Sequence, residues 1–453
     1  MEDKNAELIL KAPVHRAVLT NIIPSIVSMI MMMIYNLADT FFIGQTHDPL
    51  MVAAVSLAMP MFILNMGFGS LFGVGGTSLI SRTLGAGDHQ KAKHISAFCF
   101  WNCVGLGVIL AVFVIFFVNP ISRILGASDD TLEYTAQYLR ILAIGYPFQI
   151  TSGCFSNIFR ADGKPRIAMT GTVCGNIINI ILDPILILVL GWGMAGAALA
   201  TVIGNVFASC FYAGNLLFRK TFLSMNPRNY RVGDGIATGV FAIGVPAFCN
   251  SLMSSIASTC VNNVMASYGD LYVAGLGVAI KVDSIATQLV MGLGVGVQPL
   301  FGYCFGAGAK KRFMEILRFS LILAFIVSVV MTIVCFTFAK PLVGAFLSDP
   351  EAKSYGITFS RIYLASAPFM GITFVMTNAI QGAGAAVPAL ILSLSRQGLF
   401  FIPILLIMNA IFHSPIMIGA AQPTANILTC ILSIILFIVT YKVYFKRMEP
   451  LQP

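Results

Sequence analysis

Long apolar runs recur along the whole chain, and they restrict it to folds that exist in a lipid bilayer. A helix needs about 20 residues to cross the hydrocarbon core of a membrane. The 453 residues are 58% hydrophobic and only 10% charged, whereas soluble domains contain roughly 25% charged residues. We therefore predict an all-α polytopic membrane protein with twelve transmembrane helices. The predicted spans are 15–43, 51–81, 95–118, 133–159, 167–190, 194–218, 236–268, 271–305, 313–339, 355–381, 387–411 and 417–444.

The basic residues fall mainly on alternate connections between these spans. Because positively charged loops remain in the cytoplasm, this pattern predicts two cytoplasmic termini and an even number of spans. It also explains the net charge of +9 without a nucleic-acid partner. The side predicted to be cytoplasmic carries 20 of the 27 Lys and Arg residues, namely Lys4, Lys11, Arg16, Arg82, Lys91, Lys93, Arg160, Lys164, Arg166, Arg219, Lys220, Arg228, Arg231, Lys310, Lys311, Arg312, Arg318, Lys442, Lys446 and Arg447.

The second half of the chain repeats the first. Residues 72–75 (FGVG) match residues 293–296 (LGVG), and the same register pairs Asn157 with Asn378. Matching basic loops give both halves the same orientation, so each half holds an even number of helices, here six. Two parallel six-helix lobes with a substrate path between them are typical of secondary transporters. The predicted division is 1–218 for the N-lobe, 219–234 for a cytoplasmic inter-lobe linker and 235–453 for the C-lobe.

Two acidic residues of the first half have no acidic counterpart in the second. Asp39 and Asp183 lie in apolar stretches, and the aligned positions are Val261 and Ile402. An Asp inside a spanning helix costs about 2.5–3.5 kcal/mol on insertion scales, so it indicates function by default. The alternative for Asp39 is a cap at the outer end of its helix. The asymmetry favours ion chemistry in the first half.

Asp183 belongs to a polar stripe in the fifth span. Asn176, Asn179 and Asp183 are spaced i, i+3 and i+7, which places them on one helix face. Pro184 cannot donate a hydrogen bond to the Ile180 carbonyl, so an acceptor is left free near the carboxylate. The alternative interpretation is a stripe of helix–helix hydrogen bonds beside a proline kink.

The depths of these residues predict one shared site. At 1.5 Å per residue, Asp39 lies roughly 7 Å from the outer end of its span, and Asp183 and Thr201 lie roughly 10 Å from the outer ends of theirs. Ala197 shares a helix face with Thr201. Two neighbouring carboxylates cannot both ionise easily, so one would keep a proton or share a cation. Sodium, a proton or either in turn would suit this oxygen-rich cluster.

The second half has polar residues of its own in Lys281, Asp283 and Arg396. Asp283 and Arg396 lie roughly 14–18 Å into the membrane, so we expect a structural ion pair between helices, with substrate contact as the alternative. The sequence has no GxxxxGK[ST] motif for a nucleotide phosphate. Nothing in it predicts an enzyme.

Several motifs together carry a family resemblance over nearly the whole chain. They are Pro24 followed by Tyr35-x-x-x-Asp39-Thr40-x-Phe42-Ile43-Gly44, residues 73–75 (GVG) leading to residues 85–88 (GAGD), Arg160-Ala161-x-Gly163-x-Pro165, and Asn179-x-x-x-Asp183-Pro184. With twelve spans in two parallel halves, the chain resembles the MATE family of multidrug and toxic compound extrusion transporters. It is most similar to its bacterial MepA-like and DinF-like branches.

The resemblance implies a two-lobe exporter in the bacterial inner membrane. Such an exporter expels cationic amphipathic drugs in exchange for H⁺ or Na⁺, needs no cofactor beyond that ion and is expected to act as a monomer. The resemblance implies an N-lobe cation site, with Na⁺ expected at its oxygen-bearing members Asp39, Asn179, Asp183 and Thr201. The other residues that it implies are Ala197 in that site and Tyr35, Asn36 and Pro24 in a bending first helix.

One departure from the family pattern narrows this expectation. NorM-like members carry acids in spans seven and ten, whereas residues 236–268 contain none, and neither does span ten after Arg361. Coupling should therefore depend on the N-lobe carboxylates. The alternative function is a lipid-linked precursor flippase of the wider superfamily, which would need a strongly basic cleft.

Overall fold

The protein is helical, as the sequence predicts. The computed structural model describes residues 6–46, 48–218, 221–347 and 349–445, and these contain helices and no strand. Lys4, Arg219, Lys220, Lys446 and Arg447 from the basic set lie outside the described residues. The long helices are α1 (Val14–Gly44), α2 (Pro49–Gly85), α3 (His89–Phe116), α4 (Asp129–Ala161), α5 (Pro165–Pro184), α6 (Gly193–Phe218), α7 (Ile236–Ala266), α8 (Asp270–Gly306), α9 (Lys310–Thr337), α10 (Pro350–Leu364 and Ala367–Gly382), α11 (Ala386–Leu394 and Ile402–Phe412) and α12 (Ala421–Tyr444).

Most of these helices are long and apolar enough to cross a membrane. Ten qualify alone among the described residues, and the two pieces of α10, bent by 45° at their junction, qualify as an eleventh span. The remaining long helix, α4, has 33 residues but begins with the acidic pair Asp129 and Asp130. Large apolar side chains such as Ile109 and Phe116 remain exposed on α3, as expected for a surface in contact with lipid.

The internal repeat is visible in the helices. α2 and α8 both have 37 residues, and α3 and α9 both have 28. Each α2-type helix ends in a turn at a glycine with positive φ, 83° at Gly87 and 67° at Gly308. Only glycine adopts that conformation without strain. After Gly87, Asp88 caps α3 by accepting a hydrogen bond from the Lys91 amide.

The described residues form two compact units. The first unit is Val27–Ser251, and the second contains the residues up to Ile26 together with those from Leu252 onward. α1 and α7 therefore each contribute to both units. The early part of α1 packs closely in the second unit, where a Cβ on Gly292 would lie 2.9 Å from the Ile26 Cα atom.

The connection between the two halves belongs to the first unit and is held there by backbone hydrogen bonds. The Ser224 amide donates to the Ser96 hydroxyl at 2.8 Å, and the Trp101 indole donates to the Met225 carbonyl at 3.1 Å. A short 3₁₀-helix, Pro227–Asn229, follows. This basic connection is thus fastened to α3.

A buried carboxylate lies just after α4, outside the membrane-spanning part of the helix. Asp162 accepts a hydrogen bond from the Phe222 amide and forms an ion pair with Lys164. Burial raises the pKa of Asp162, and the interactions with Lys164 and the backbone offset part of that increase.

The N-terminal segment is fastened to the second unit by an arginine. Glu7–Lys11 forms a π-helical turn with Ile9 buried. Arg312, near the start of α9, donates to the Ile9 carbonyl at 2.7 Å and also to the Ala12 carbonyl. Its guanidinium therefore satisfies carbonyls at the end of this turn.

Candidate cation site

Asp183 is a buried carboxylate at the end of α5. Its fractional exposure is 0%, and neither carboxylate oxygen has a hydrogen-bond partner within the described part of the chain. Directly after it, Pro184 ends the α-helix, and Ile185–Val189 continues as a π-helical segment. π-helical turns inside longer helices are frequent at functional sites, because they re-orient nearby side chains and carbonyls.

The crossing of α5 and α6 determines what faces this carboxylate. A Cβ on Gly204 would lie 2.7 Å from the Gly175 carbonyl oxygen, and one on Gly175 would lie 2.8 Å from that of Gly204. Only hydrogen atoms fit between the backbones there. Asn179, one turn after Gly175, consequently reaches α6, where its amide donates to the Thr201 hydroxyl at 3.3 Å.

The predicted α5 and α6 residues are brought together. Asn179 and Thr201 are buried at 2% and 3% exposure, and the Asn179 Oδ1 atom is without a partner among the described residues. Ala197, also buried, lies one turn from Thr201 on the same face. Its methyl group adds no ligand atom.

α1 completes the cluster with two residues. Tyr35 lies near the Thr201 side chain and experiences the charges of both Asp39 and Asp183. Asp39 is half-buried, and its Oδ1 atom is buried without a partner in the described chain. The structure therefore gathers Tyr35, Asp39, Asn179, Asp183 and Thr201 at one place in the first unit.

The two carboxylates are close enough to repel each other. Ionising both in a buried site is unfavourable, and a proton or a small cation between them relieves the repulsion. The remaining oxygens, from Asn179, Thr201 and Tyr35, are the neutral donors that hard cations accept. The site can therefore hold one proton or one small monovalent cation.

The sequence reasoning missed a tyrosine of α4 that borders this cluster. Tyr138 experiences the charges of Asp39 and Asp183, and it also lies near Tyr146, whose buried hydroxyl has no partner in the described residues. α4 comes this close because Gly145 packs on α6, where an added Cβ would lie 2.7 Å from a Val202 methyl group. A small residue in α4 was the only sequence signal for this contact.

Two residues that the resemblance placed in α1 lie outside the cluster. Asn36 is exposed, and its amide donates to the Met32 carbonyl of its own helix at 2.8 Å. Pro24 is buried within α1, which continues as an α-helix through it. A bend at Pro24 remains a prediction.

In the second unit, Asp283 and Arg396 attract each other electrostatically but are not within 4.0 Å in a salt bridge. Asp283 instead accepts a hydrogen bond from Thr287 at 3.1 Å, and the Arg396 guanidinium lies over the Phe374 ring. Lys281 is exposed and lies over another ring, that of Phe346. These three residues form no shared oxygen cluster like that of the first unit.

A known protein family matches this chain twice, once in each half of the repeat. The MatE family model matches residues 24–185 and, a second time, residues 246–407. The chain belongs to the MatE family. The sequence resemblance to MATE transporters is therefore confirmed, and the two matches correspond to the two halves of the repeat.

Two curated relatives cover most of this MatE family member. The multidrug export protein MepA of Staphylococcus aureus (strain MSSA476) is 33% identical over 412 residues, which is 91% of each protein. The protein of the same name from Staphylococcus saprophyticus is 32% identical over 412 residues, again 91% of each.

Solved structures confirm the predicted fold class. A MATE crystallised in complex with MaL6 aligns with a TM-score of 0.93 at 23% identity, covering 98% of this chain and 99% of that one. An outward-facing multidrug resistance MATE family transporter of the MOP superfamily aligns with a TM-score of 0.92 at the same identity and coverage. The protein is a multi-pass membrane protein with the MATE fold.

Proposed function

We propose that this MatE family member exports cationic, amphipathic multidrug substrates by antiport with H⁺ or Na⁺. The names of the two MepA relatives support export of drugs. The observation that carries the coupling is the pair of acids in the first unit, buried Asp183 and half-buried Asp39, whose buried carboxylate oxygens have no hydrogen-bond partner among the described residues. Acids at such positions in a membrane protein favour an ion pathway over a structural role.

The coupling ion binds at Asp39, Asn179, Asp183 and Thr201. If it is Na⁺, these side chains supply oxygen ligands, and the hydrogen bond from the Asn179 amide orients the Thr201 hydroxyl. If it is H⁺, one carboxyl holds it while the other remains charged. The proposal requires no other cofactor and no catalytic chemistry.

The link between ion and drug is a competition of binding free energies. An ion on Asp39 and Asp183 removes the negative charge that attracts a cationic drug, and it draws α1 towards α5 and α6. Binding of the ion therefore lowers the affinity of the protein for the drug, and binding of the drug lowers its affinity for the ion by the same factor.

α1 supplies a mechanical connection for this competition. Asp39 and Tyr35 lie in the part of α1 that belongs to the first unit, and Ile22 and Ile26 lie in the part that packs in the second. A conformational change at the carboxylates would therefore be transmitted along α1 to both units. Pro24 is the position at which α1 would bend.

The remaining features of the proposal concern the cellular setting. The alternation of basic loops supports cytoplasmic termini in a bacterial inner membrane. The protein is proposed to work as a monomer, with the lipid bilayer and small cationic compounds as its partners.

Transport by purified protein in liposomes tests this function. A dye that is a lipophilic cation should accumulate against its gradient when a sodium or a proton gradient is imposed, each in a separate experiment. The driving gradient identifies the ion. Equal dye movement with neither gradient would indicate a passive channel and refute antiport.

A further inference from the structure

A chain of hydrogen bonds leads away from the carboxylate cluster into the first unit. It begins at Thr201, whose backbone carbonyl accepts a hydrogen bond from the Asn205 amide at 2.9 Å. The Ser152 hydroxyl of α4 then donates to the Asn205 Oδ1 atom at 3.1 Å. One side of α6 thus joins the coupling site to α4.

The chain continues to α2 through a pair of amides, of which Asn65 is buried and Gln149 is half-buried. The Ser152 hydroxyl also lies 3.1 Å from the Gln149 carbonyl, and the Asn65 amide donates to the Gln149 Oε1 atom at 2.6 Å. Asn65 is only 2% exposed, and its Oδ1 atom has no hydrogen-bond partner within the described residues. A buried amide oxygen without a partner is unfavourable unless a ligand or water satisfies it.

The second half of the repeat lacks this pair. The register that matches residues 72–75 with residues 293–296 places Ala286 opposite Asn65 and Met370 opposite Gln149. Both counterparts are buried in equivalent helices, α8 and α10. The second half has an amide pair between α8 and α10 at another position, where the Gln298 amide donates to the Gln381 Oε1 atom at 3.5 Å. At the positions that match Asn65 and Gln149 it has only apolar side chains. In the first half, the pair of Asn65 and Gln149 accompanies the carboxylates.

We propose that Asn65, Gln149, Ser152 and Asn205 form a relay site for the coupling cation. This inference depends on the proposed function, since it assumes that Asp39 and Asp183 bind that ion. The relay holds the ion after it leaves the carboxylates and before it reaches the inner face.

The chemistry of the relay suits transient binding. Its ligand atoms are amide, hydroxyl and carbonyl oxygens without formal charge, so a cation binds there more weakly than between two carboxylates. Conduction through a protein requires sites that are favourable enough to occupy and weak enough to leave. The same groups can hydrogen-bond a protonated water if the ion is H⁺.

The position of the relay fits an inward route. The basic connections place the end of α4 at the cytoplasmic side, and Ser152 lies nine residues before its last residue, Ala161, which is roughly 14 Å along the helix. Ser156 and Arg160 continue the polar face of α4 beyond Ser152 and are hydrogen-bonded to each other at 3.1 Å. The fixed positive charge of Arg160 opposes uncontrolled passage of a cation beyond the relay.

The test replaces the relay pair with the residues of the second half, in the double variant Asn65→Ala with Gln149→Met. Drug-driven ion flux is measured in proteoliposomes under sodium and pH gradients in separate experiments, together with equilibrium drug binding. We expect about a tenfold slower flux with the coupling ion, as for loss of supporting ligands at an ion site. Drug affinity, and its dependence on the ion, should be unchanged.

The control variant is Gln381→Met. Gln381 is a buried glutamine of α10 in the second unit, and the variant should transport at the wild-type rate.

Two outcomes would overturn the relay. The first is ion flux at the wild-type rate in the double variant. The second is weaker drug binding by the double variant with an unchanged ratio of transported ions to drug, because that result would assign these residues to the substrate path. If the double variant fails to fold, Ser152→Ala removes one hydroxyl from the middle of the chain and must give the same slowing. Asp183→Asn in the same vesicles separates the two proposals. Coupling that survives Asp183→Asn refutes the proposed function, whereas lost coupling there with normal flux in the double variant refutes the relay alone.

Discussion

A methyl group at the crossing of α5 and α6 should weaken cation binding without touching a ligand atom. In Gly204→Ala the new carbon would lie 2.7 Å from the Gly175 carbonyl oxygen and 3.3 Å from the Asn179 Cβ atom, whereas ordinary contact begins at 3.4 Å. The helices must therefore separate by about 0.7 Å there. Overpacking of this kind destabilises a protein by about 1–3 kcal/mol.

The separation acts on the cation site through one hydrogen bond. The distance from the Asn179 amide to the Thr201 hydroxyl is already 3.3 Å, and a further increase would exceed hydrogen-bonding range. Loss of about 1 kcal/mol corresponds to roughly a fivefold weaker cation affinity.

The assay is thermal unfolding of detergent-purified protein with increasing sodium or proton concentration, because a ligand that binds the folded state raises the unfolding temperature. Gly214→Ala is the matched control in the same helix, since nothing lies within 4 Å of its added carbon. If Gly204→Ala and Gly214→Ala unfold at the same temperature and bind the cation equally well, the proposed role of the crossing is wrong.

Three further predictions address other parts of the molecule. Burial raises the pKa of Asp162, so the folded state holds the Asp162 proton more tightly than the unfolded state does. Wild-type stability should therefore fall relative to Asp162→Asn as the pH rises from about 4. Melting temperatures of both proteins across that pH range check this prediction, and a constant difference between them would contradict it. Arg312→Ala should expose the N-terminal segment to limited proteolysis, because its hydrogen bonds to the Ile9 and Ala12 carbonyls are lost, whereas Lys311→Ala should not. Asp283→Asn should retain ion-coupled export, and loss of coupling in transport assays would shift the ion site to the second unit.

The fold was predictable because two sequence signals agree. Apolar runs predicted a helical membrane protein, and the repeat of residues 72–75 at residues 293–296 predicted two related halves, each of which the MatE family model matches. The breaks within the helices were harder to predict from the sequence. Pro184 signalled a kink, but the π-helical segment Ile185–Val189 that follows depends on how α5 packs. The break between Leu364 and Ala367 depends likewise on tertiary context.

The candidate site was predictable where helical spacing sufficed. Asn179 and Asp183 share a face of α5, and depth along the membrane brought Thr201 and Asp39 near them. Tyr138 was missed because its position depends on the contact between α4 and α6. Single-helix periodicity carries no information on which helices pack together.

The amides of the proposed relay illustrate the same limit. Asn65 and Gln149 are far apart in the sequence, and each alone resembles an ordinary polar residue in a membrane helix. Their 2.6 Å hydrogen bond becomes visible only when α2 and α4 are placed together. The comparison with Ala286 and Met370 then shows that the second half has no amides at these matched positions.

Simultaneous measurement of dye export and ion flux in proteoliposomes, with Asp39→Asn and Asp183→Asn beside wild type, tests the central claim most directly. Wild-type protein should move the ion against the dye at a fixed ratio. Each variant, inserted at the wild-type level, should bind dye but lose the dye-driven ion flux and export against a gradient. Uphill dye export by both variants, with the ion-to-dye ratio of the wild type, would contradict coupling through the carboxylates of the first unit.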